Sequence, residues 1–555
     1  MGGPQARAAL SVALLLGVAL GLRSLTLGVD PPDYPRFGAA WGDEGPWAWP
    51  ASHRAETGSW PEAGRVFVRA APVHAWLLAW SYEVLPGGLL VARALSLLAG
   101  LGTLALLWWT CRRHLGDLGA GLAGALYATG LWPILYERHA SPEALAIFLA
   151  TASFAALMGN RAVTRAPVAV LLAVLAFATK GALIFFPPLA VLAVISMRGE
   201  ASDRPESGRG WTLGGLALGA CSLALFSLQL SETFRFVATV PAPPSTALAG
   251  LAAAGRRLAM APFNADFSLS APVALAGVVL AALSGIPDSP GARKLFLLSA
   301  GWVTCWWLVV PVFDLKGSRY YLIAPPFMVL GSMGWLGLTG PSWHPLGRGE
   351  TRRAVLLRTV MGSLAACWIA ALGAIEWSIQ GGPRARSSFP FLALAAFGLA
   401  VGLSASWRSG SAGWVVRVKR SLAPLLLIGV FVSQVPWWWR WSSGASTLVT
   451  DAVAQMARSP ELRGHVCGDQ APLLLLGQPG GAEALYNVYW PTCSMDGRDA
   501  EWVVVTAEPL CAPFEGAWIR DRRPELLARR PEITLNLPGT PPAPRSCIHY
   551  IVRLE

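Results

Sequence analysis

Asp43 and Glu44 are adjacent carboxylates in the segment Trp41-Gly-Asp-Glu-Gly-Pro-Trp47. They follow a first apolar stretch, about Ala8 to Leu27, whose one charge is Arg23. Acids just beyond a membrane-length stretch are costly unless they face water or a substrate. A carboxylate in a partly dry pocket can serve as a general base, because burial tunes its proton affinity; the other reading is a solvated loop. Glu143 ends Tyr136-Glu-Arg-His-Ala-Ser-Pro-Glu143, where an acid at the start of an apolar run is either a site carboxylate or a helix N-terminal charge. Arg138 and His139 beside it can bind an anion or reach to the membrane interface. Lys180, in Phe177-Ala-Thr-Lys-Gly181, lies between two apolar runs and needs water or a partner. Lys316, Arg319 and Tyr320, in Lys316-Gly-Ser-Arg-Tyr-Tyr321, suit a lipid phosphate, or else form an aromatic and basic belt. His53, Arg54, Arg69 and His74 add polar groups to the first long loop.

The elements that must position these groups are membrane spans. The 555 residues are 54% hydrophobic and 14% charged, whereas soluble domains carry about 25% charged residues. Apolar runs near 8–27, 89–110, 118–135, 143–158, 166–179, 181–197, 211–229, 271–286, 295–312, 321–338, 355–376, 389–406 and 421–438 predict about thirteen transmembrane helices. The first run lacks a small-residue cleavage site and reads as a retained anchor. Residues 72–86 are apolar but short and carry His74 and Glu83, so they read as a helix lying at the interface. With that choice and a cytoplasmic N-terminus, the basic loops at Arg112-Arg113, Arg161 and Arg165, Arg198–Arg209, Arg293-Lys294, Arg348–Arg353 and Arg408–Arg420 all fall on one side, as the positive-inside rule requires. Asp43-Glu44, Glu137–Glu143, Lys180, Asp314–Tyr321 and the loop near 230–270 then share the outer face. The net charge of +12 belongs to these inner loops, which leaves no basic face for nucleic acid.

Residues 440–555 are less apolar. Strand-like runs at Leu473–Leu476, Trp502–Thr506 and Ile548–Val552, with a helical stretch at Pro524–Arg530, predict a small extracytoplasmic α/β domain. The chain therefore divides into a membrane domain, 1–439, whose outer loop 28–88 carries the acidic motif, and the domain 440–555. Of eight cysteines, Cys467, Cys493, Cys511 and Cys547 fall in the latter. In an extracytoplasmic domain they predict two disulfides, paired by nearness as Cys467–Cys493 and Cys511–Cys547. No CxxC, HExxH, P-loop or GxSxG element occurs, so zinc, phosphate-loop and serine-hydrolase chemistry lack support.

In combination the residues resemble the GT-C glycosyltransferases, specifically the family-39-like group of protein O-mannosyltransferases and bacterial aminoarabinose transferases. The carriers are Asp43-Glu44-Gly45, Ala55-Glu-Thr-Gly-Ser-Trp-Pro61, Pro72-Val-His-Ala-Trp76, Ala92-Arg-Ala-Leu-Ser-Leu-Leu-Ala-Gly100, Tyr136–Leu145, Ala178-Thr-Lys-Gly181 and Arg319-Tyr-Tyr-Leu-Ile-Ala-Pro325. The resemblance implies a GT-C-like, all-α polytopic membrane protein in a bacterial inner (plasma) membrane. It implies a polyprenyl-phosphate-linked sugar donor, a lipid, protein or glycan acceptor, and transfer with inversion. Asp43 matches the family's catalytic base, Glu44 the acid that follows it, Glu143 a second acidic position that is usually Asp, and Lys180 and Arg319 basic positions that hold the lipid phosphate. The family's lysine-Pro-Pro motif is here Arg69-Ala-Ala-Pro72, with the cation displaced by one residue. No cofactor is implied with certainty, and a divalent metal stays open. The rival class is a polytopic transporter or lipid flippase, in which Lys180 would be a coupling charge.

Overall fold

The computed structural model describes residues 4–25, 27–28, 44–62, 64–85, 88–159, 162–201 and 213–239, scattered positions between 291 and 302, and residues 447–459, 462–467, 471–477, 482–485, 502–506, 531–538 and 546–553. Asp43, Lys316, Arg319, Tyr320, Cys493, Cys511, Pro524–Arg530 and every span expected from 321 to 438 lie outside them.

Ten helices precede residue 240 among the described residues: α1 Pro4–Ser24, α2 Glu44–Thr57, α3 Arg65–Ala70, α4 Pro72–Val84, α5 Leu89–Thr129, α6 Leu131–Tyr136, α7 Glu143–Leu157, α8 Ala162–Thr179, α9 Phe186–Ala201 and α10 Leu213–Thr239. The 41-residue α5 is long and apolar enough to cross a membrane. It covers two expected spans, 89–110 and 118–135, because the helix breaks without a loop at Gly116 (φ 76°, ψ −174°). Only glycine adopts that backbone at little cost. Arg112, Arg113 and His114 are the last turn before the break, and Arg112 Nε pairs with Asp117 Oδ1 across it at 2.7 Å. Expected span 118–135 ends early, with α5 stopping at Thr129 and α6 starting at Leu131 after Gly130.

The helices α1, α5, α7, α8 and α9 pack on one another in the order α1–α5–α7–α8–α9 and bury one apolar core that includes Leu104, Leu107, Leu115, Ile134, Phe177 and Leu183. The expected interfacial helix is α4. It buries His74, Ala75, Leu78, Ala79 and Tyr82, and leaves Trp76, Trp80 and Val84 exposed. That stripe at i, i+4 and i+8 is one helix face, and tryptophans suit headgroup depth.

The C-terminal residues form α11 Leu448–Met456, α12 Ala471–Leu474 and five strands: β1 Gly464–Cys467, β2 Ala482–Leu485, β3 Trp502–Thr506, β4 Ile533–Pro538 and β5 Ser546–Arg553. The sheet order is β2-β1-β3-β5-β4, parallel between β1 and its neighbours β2 and β3, antiparallel from β3 through β5 to β4. Expected strands at 502–506 and 548–552 are β3 and most of β5. The expected strand Leu473–Leu476 is instead the end of α12 and a 3₁₀ turn over Leu475–Gly477. A short apolar run fits a buried strand or a buried helix equally, since periodicity cannot separate them.

The register also constrains the cysteines. Cys467 lies opposite Val503, and Val503 opposite Val552. Cys547 is therefore two strands across and five residues along, on the order of 18 Å away at ordinary sheet spacings. A disulfide needs Cα atoms within about 7 Å, so a Cys467–Cys547 bridge is excluded.

A second apolar core joins this sheet to the loop helices. Val449, Val453, Met456, Leu474, Val504, Leu535 and Ile551 pack with Ala48, Trp49 and Ala51 of α2, Leu78 of α4, and Leu89 and Ala92 of α5. The C-terminal residues thus sit at the end of the helix bundle that carries Glu44.

Candidate active site

Helix α2 begins at Glu44, and its carboxylate is completely buried. Arg93, on the first turns of α5 and equally buried, donates from Nε to Glu44 Oε1 at 2.8 Å and from Nη2 to Oε2 at 2.6 Å. The Ala140 backbone N–H donates to Oε1 at 2.8 Å. A two-pronged guanidinium–carboxylate pair with a third donor fixes a carboxylate in position as well as charge. Burial raises the Glu44 carboxyl pKa, but the charges of Arg93 and His139 and the bonds from Arg93 and Ala140 outweigh it and hold it below the ordinary value. The remaining Arg93 nitrogen ties in two more segments: Nη1 donates to Leu27 O at 2.9 Å and to Thr450 Oγ1 at 3.3 Å, and Thr450 Oγ1 donates to Gly28 O at 2.8 Å.

One turn along α2 from Glu44, Trp47 marks a second cluster. Its ring lies edge-on to Phe67 at 5.0 Å and to His74 at 6.5 Å. Lys180 Nζ sits 5.5 Å from its centroid. Lys180 donates to Glu143 Oε1 at 2.6 Å, with the two side chains only 10% and 3% exposed. The pair exists because α7 starts at Glu143 and antiparallel α8 ends at Thr179, which places both residues at one end of the bundle. His74 is 1% exposed, and burial, offset in part by Glu143 and reinforced by Lys180, pushes its imidazole down to about 4.

A third network holds the loop between them. Arg23 Nε donates to Glu137 Oε2 at 2.6 Å, its Nη1 donates to Ala128 O at 3.0 Å, and Tyr127 Oη donates to Glu137 Oε1. Arg138 and His139 follow, both buried. The His139 ring stands 6.1 Å from that of Tyr136, and its charge reaches Glu44. Glu137 so anchors the start of the segment whose Ala140 N–H binds Glu44 and whose end is Glu143.

The structure brings together Glu44, His139, Glu143, Lys180 and His74 from the sequence-predicted set. Arg69 stands apart: its side chain is 59% exposed, 4.0 Å from Glu232 Oε2, and its carbonyl accepts from Gln229 Nε2 at 3.1 Å. Sequence reasoning did not single out Arg93, Arg23 or Trp47. The two arginines had a signal, being charges inside apolar runs that must find partners. Among the described residues no three His, Cys, Asp or Glu side chains converge on a metal-sized site.

Residues 69–224 match the family described as Dolichyl-phosphate-mannose-protein mannosyltransferase. That segment holds α4, Arg93, the 137–143 loop and Lys180, and it bears out the resemblance read from the sequence motifs. Among solved structures the chain is similar to ArnT from Cupriavidus metallidurans in the apo state, at 14% identity over 97% of each chain with a TM-score of 0.49. The same protein bound to undecaprenyl phosphate gives 14% identity over 99% of this chain and 98% of that one, with a TM-score of 0.48. The archaeal oligosaccharyltransferase AglB from Archaeoglobus fulgidus, in complex with an inhibitory peptide and a dolichol-phosphate, gives 10% identity over 92% of this chain and 71% of that one, with a TM-score of 0.46. No curated protein sequence matches the chain.

Proposed function

We propose that the chain is a membrane glycosyltransferase that moves a sugar from a polyprenyl-phosphate donor to a hydroxyl-bearing acceptor at the outer face of a bacterial inner membrane. The observation that carries this is the fixed acidic end of α2. Glu44 is held by Arg93 and Ala140, and the buried Lys180–Glu143 pair lies beside Trp47 one turn away. The family match over residues 69–224 gives that arrangement its chemistry.

In the proposed step, the acceptor oxygen attacks the anomeric carbon as the bond from that carbon to the lipid-phosphate oxygen breaks. The carbon inverts, the proton of the acceptor passes to Asp43, and the electron pair leaves with the polyprenyl phosphate. Cations at Lys180, Lys316 and Arg319, with Tyr320, offset the phosphate charge as it develops. Glu44 is a positioning residue in this reading. A carboxylate already accepting from Arg93 and Ala140, with its pKa lowered, is a poor base; the base in this reading is the neighbouring Asp43, which needs hydrogen-bond contact with the acceptor, roughly 3 Å.

The test is transfer from a labelled polyprenyl-phosphate sugar by purified protein. Asp43→Asn should lose transfer by at least about 100-fold, the lower bound for a general base, and keep donor affinity. Unchanged transfer removes Asp43 as the base.

A further inference from the structure

The His74 imidazole is an unexplained buried polar group. Neither ring nitrogen has a hydrogen-bond partner among the described residues, although the residue is 1% exposed. Buried polar atoms are paired in the great majority of cases, and leaving one unmade costs about 1–3 kcal/mol. Two on one ring is a standing cost that a bound ligand can remove. Its position says which ligand. His74 occupies the buried face of α4, with the Trp47 ring perpendicular to it at 6.5 Å and the charges of Glu143 and Lys180 close enough to act on it.

The Lys180 ammonium is 2.6 Å from a Glu143 carboxylate oxygen, and His74 is held neutral by burial. A phosphate needs positive charge and several donors; an imidazole held neutral suits an uncharged polyol. A sugar ring has apolar C–H faces and a hydroxyl rim. An indole covers the first, and a neutral imidazole, with one donor and one acceptor nitrogen, serves the second.

We propose that His74 is a specificity-determining residue of the donor subsite, taking a hydroxyl of the lipid-linked sugar against Trp47 and beside the Lys180–Glu143 pair. This rests on the transferase reading above and assigns the sugar to His74 and Trp47, next to the phosphate that Lys180 faces.

Two lipids separate the possibilities: bare undecaprenyl phosphate, and undecaprenyl phosphate linked to mannose, glucose or arabinose. Binding of each is measured to wild type, His74→Leu and His74→Gln in lipid nanodiscs. Wild type should bind one of the sugar-linked lipids more tightly than the bare one. His74→Leu should keep bare-lipid affinity and weaken the sugar-linked lipid about 10- to 100-fold, the loss expected for an unmet buried hydrogen bond. His74→Gln, which keeps a donor and an acceptor, should recover most of it. One deoxy form of the preferred sugar should bind wild type and His74→Leu equally. Equal loss for bare and sugar-linked lipid in both variants overturns the assignment in favour of a phosphate contact or a folding defect. No loss for either makes His74 a packed core histidine, and no sugar preference in wild type removes the subsite. Wild type that binds none of the lipids overturns the transferase reading itself.

Discussion

At the scale of single residues, the site is built from charges that need each other. Lys180 and Glu143 were legible one by one, as lone ionisable groups at the edges of apolar runs. Their partnership was not, because 37 positions separate them and nothing local tells which helix ends meet. Arg93 was hidden for a related reason: in Ala92-Arg-Ala-Leu it reads as an interruption of a span, and only the fold shows that it holds Glu44. His74 makes its own prediction about acid. Burial lowers its pKa from 6.5 to about 4, so between those values the unfolded chain binds a proton that the folded one refuses. Stability is full above pH 6.5 and falls as the pH drops toward 4, by about 3 kcal/mol for a shift of that size. Of the charged groups that face His74, Glu143 favours its protonation and Lys180 opposes it. Thermal unfolding in detergent across pH 4–7 checks this, and His74→Gln should flatten the curve in that window. A profile shared by both proteins would assign the acid sensitivity to groups other than His74; Glu44, with its lowered pKa, loses its contribution only below the ordinary carboxylate value.

At the scale of elements, apolar runs predicted helices well and their joins poorly. Expected spans 143–158 and 166–179 correspond closely to α7 and α8. The break between 89–110 and 118–135 came out as a single backbone reversal at Gly116, which a loop-based expectation does not contain. Arg112 lies nineteen residues beyond Arg93 on α5, about 28 Å along a helix axis and close to a hydrocarbon thickness of about 30 Å. The basic turn and the acidic site therefore occupy opposite ends of the same half-helix, as the charge pattern of the loops requires. Close packing at the acidic end rests on a small residue. A Cβ on Gly100 would meet Glu137 Cδ and Oε2 at 2.3 Å, the carboxylate that binds Arg23. Gly100→Ala should push Glu137 off its partner and destabilise the protein by about 3–5 kcal/mol, the usual cost of breaking a buried pair. Alanine elsewhere on α5, at Gly121 where nothing lies within 4 Å, should be neutral or slightly stabilising. Melting temperatures of the two variants decide it, and a Gly100→Ala variant as stable as wild type would mean that the Arg23–Glu137 contact yields without loss.

At the scale of the whole molecule, the C-terminal residues are wired into the site and do not merely lie beside it. Their sheet shares a core with α2 and α4, and Thr450 of α11 links Arg93 to the carbonyl of Gly28. Hydropathy marked where this region begins, and β-rich runs marked two of its strands; that it closes over the Glu44–Arg93 pair is a tertiary fact with no local signature. Removing residues 445–555 would strip α2 of its apolar cover, so truncation confounds folding with function. Thr450→Val is the cleaner change. It keeps the shape and removes two hydrogen bonds of about 1 kcal/mol each, one of which fixes the residue that fixes Glu44. If the C-terminal residues help set the acid end of α2, transfer by Thr450→Val should fall severalfold to about 30-fold while affinity for the lipid donor at the Lys180 end holds. Parallel loss of transfer and donor affinity, tracking a lowered melting temperature, would instead mean that the C-terminal residues only stabilise the fold.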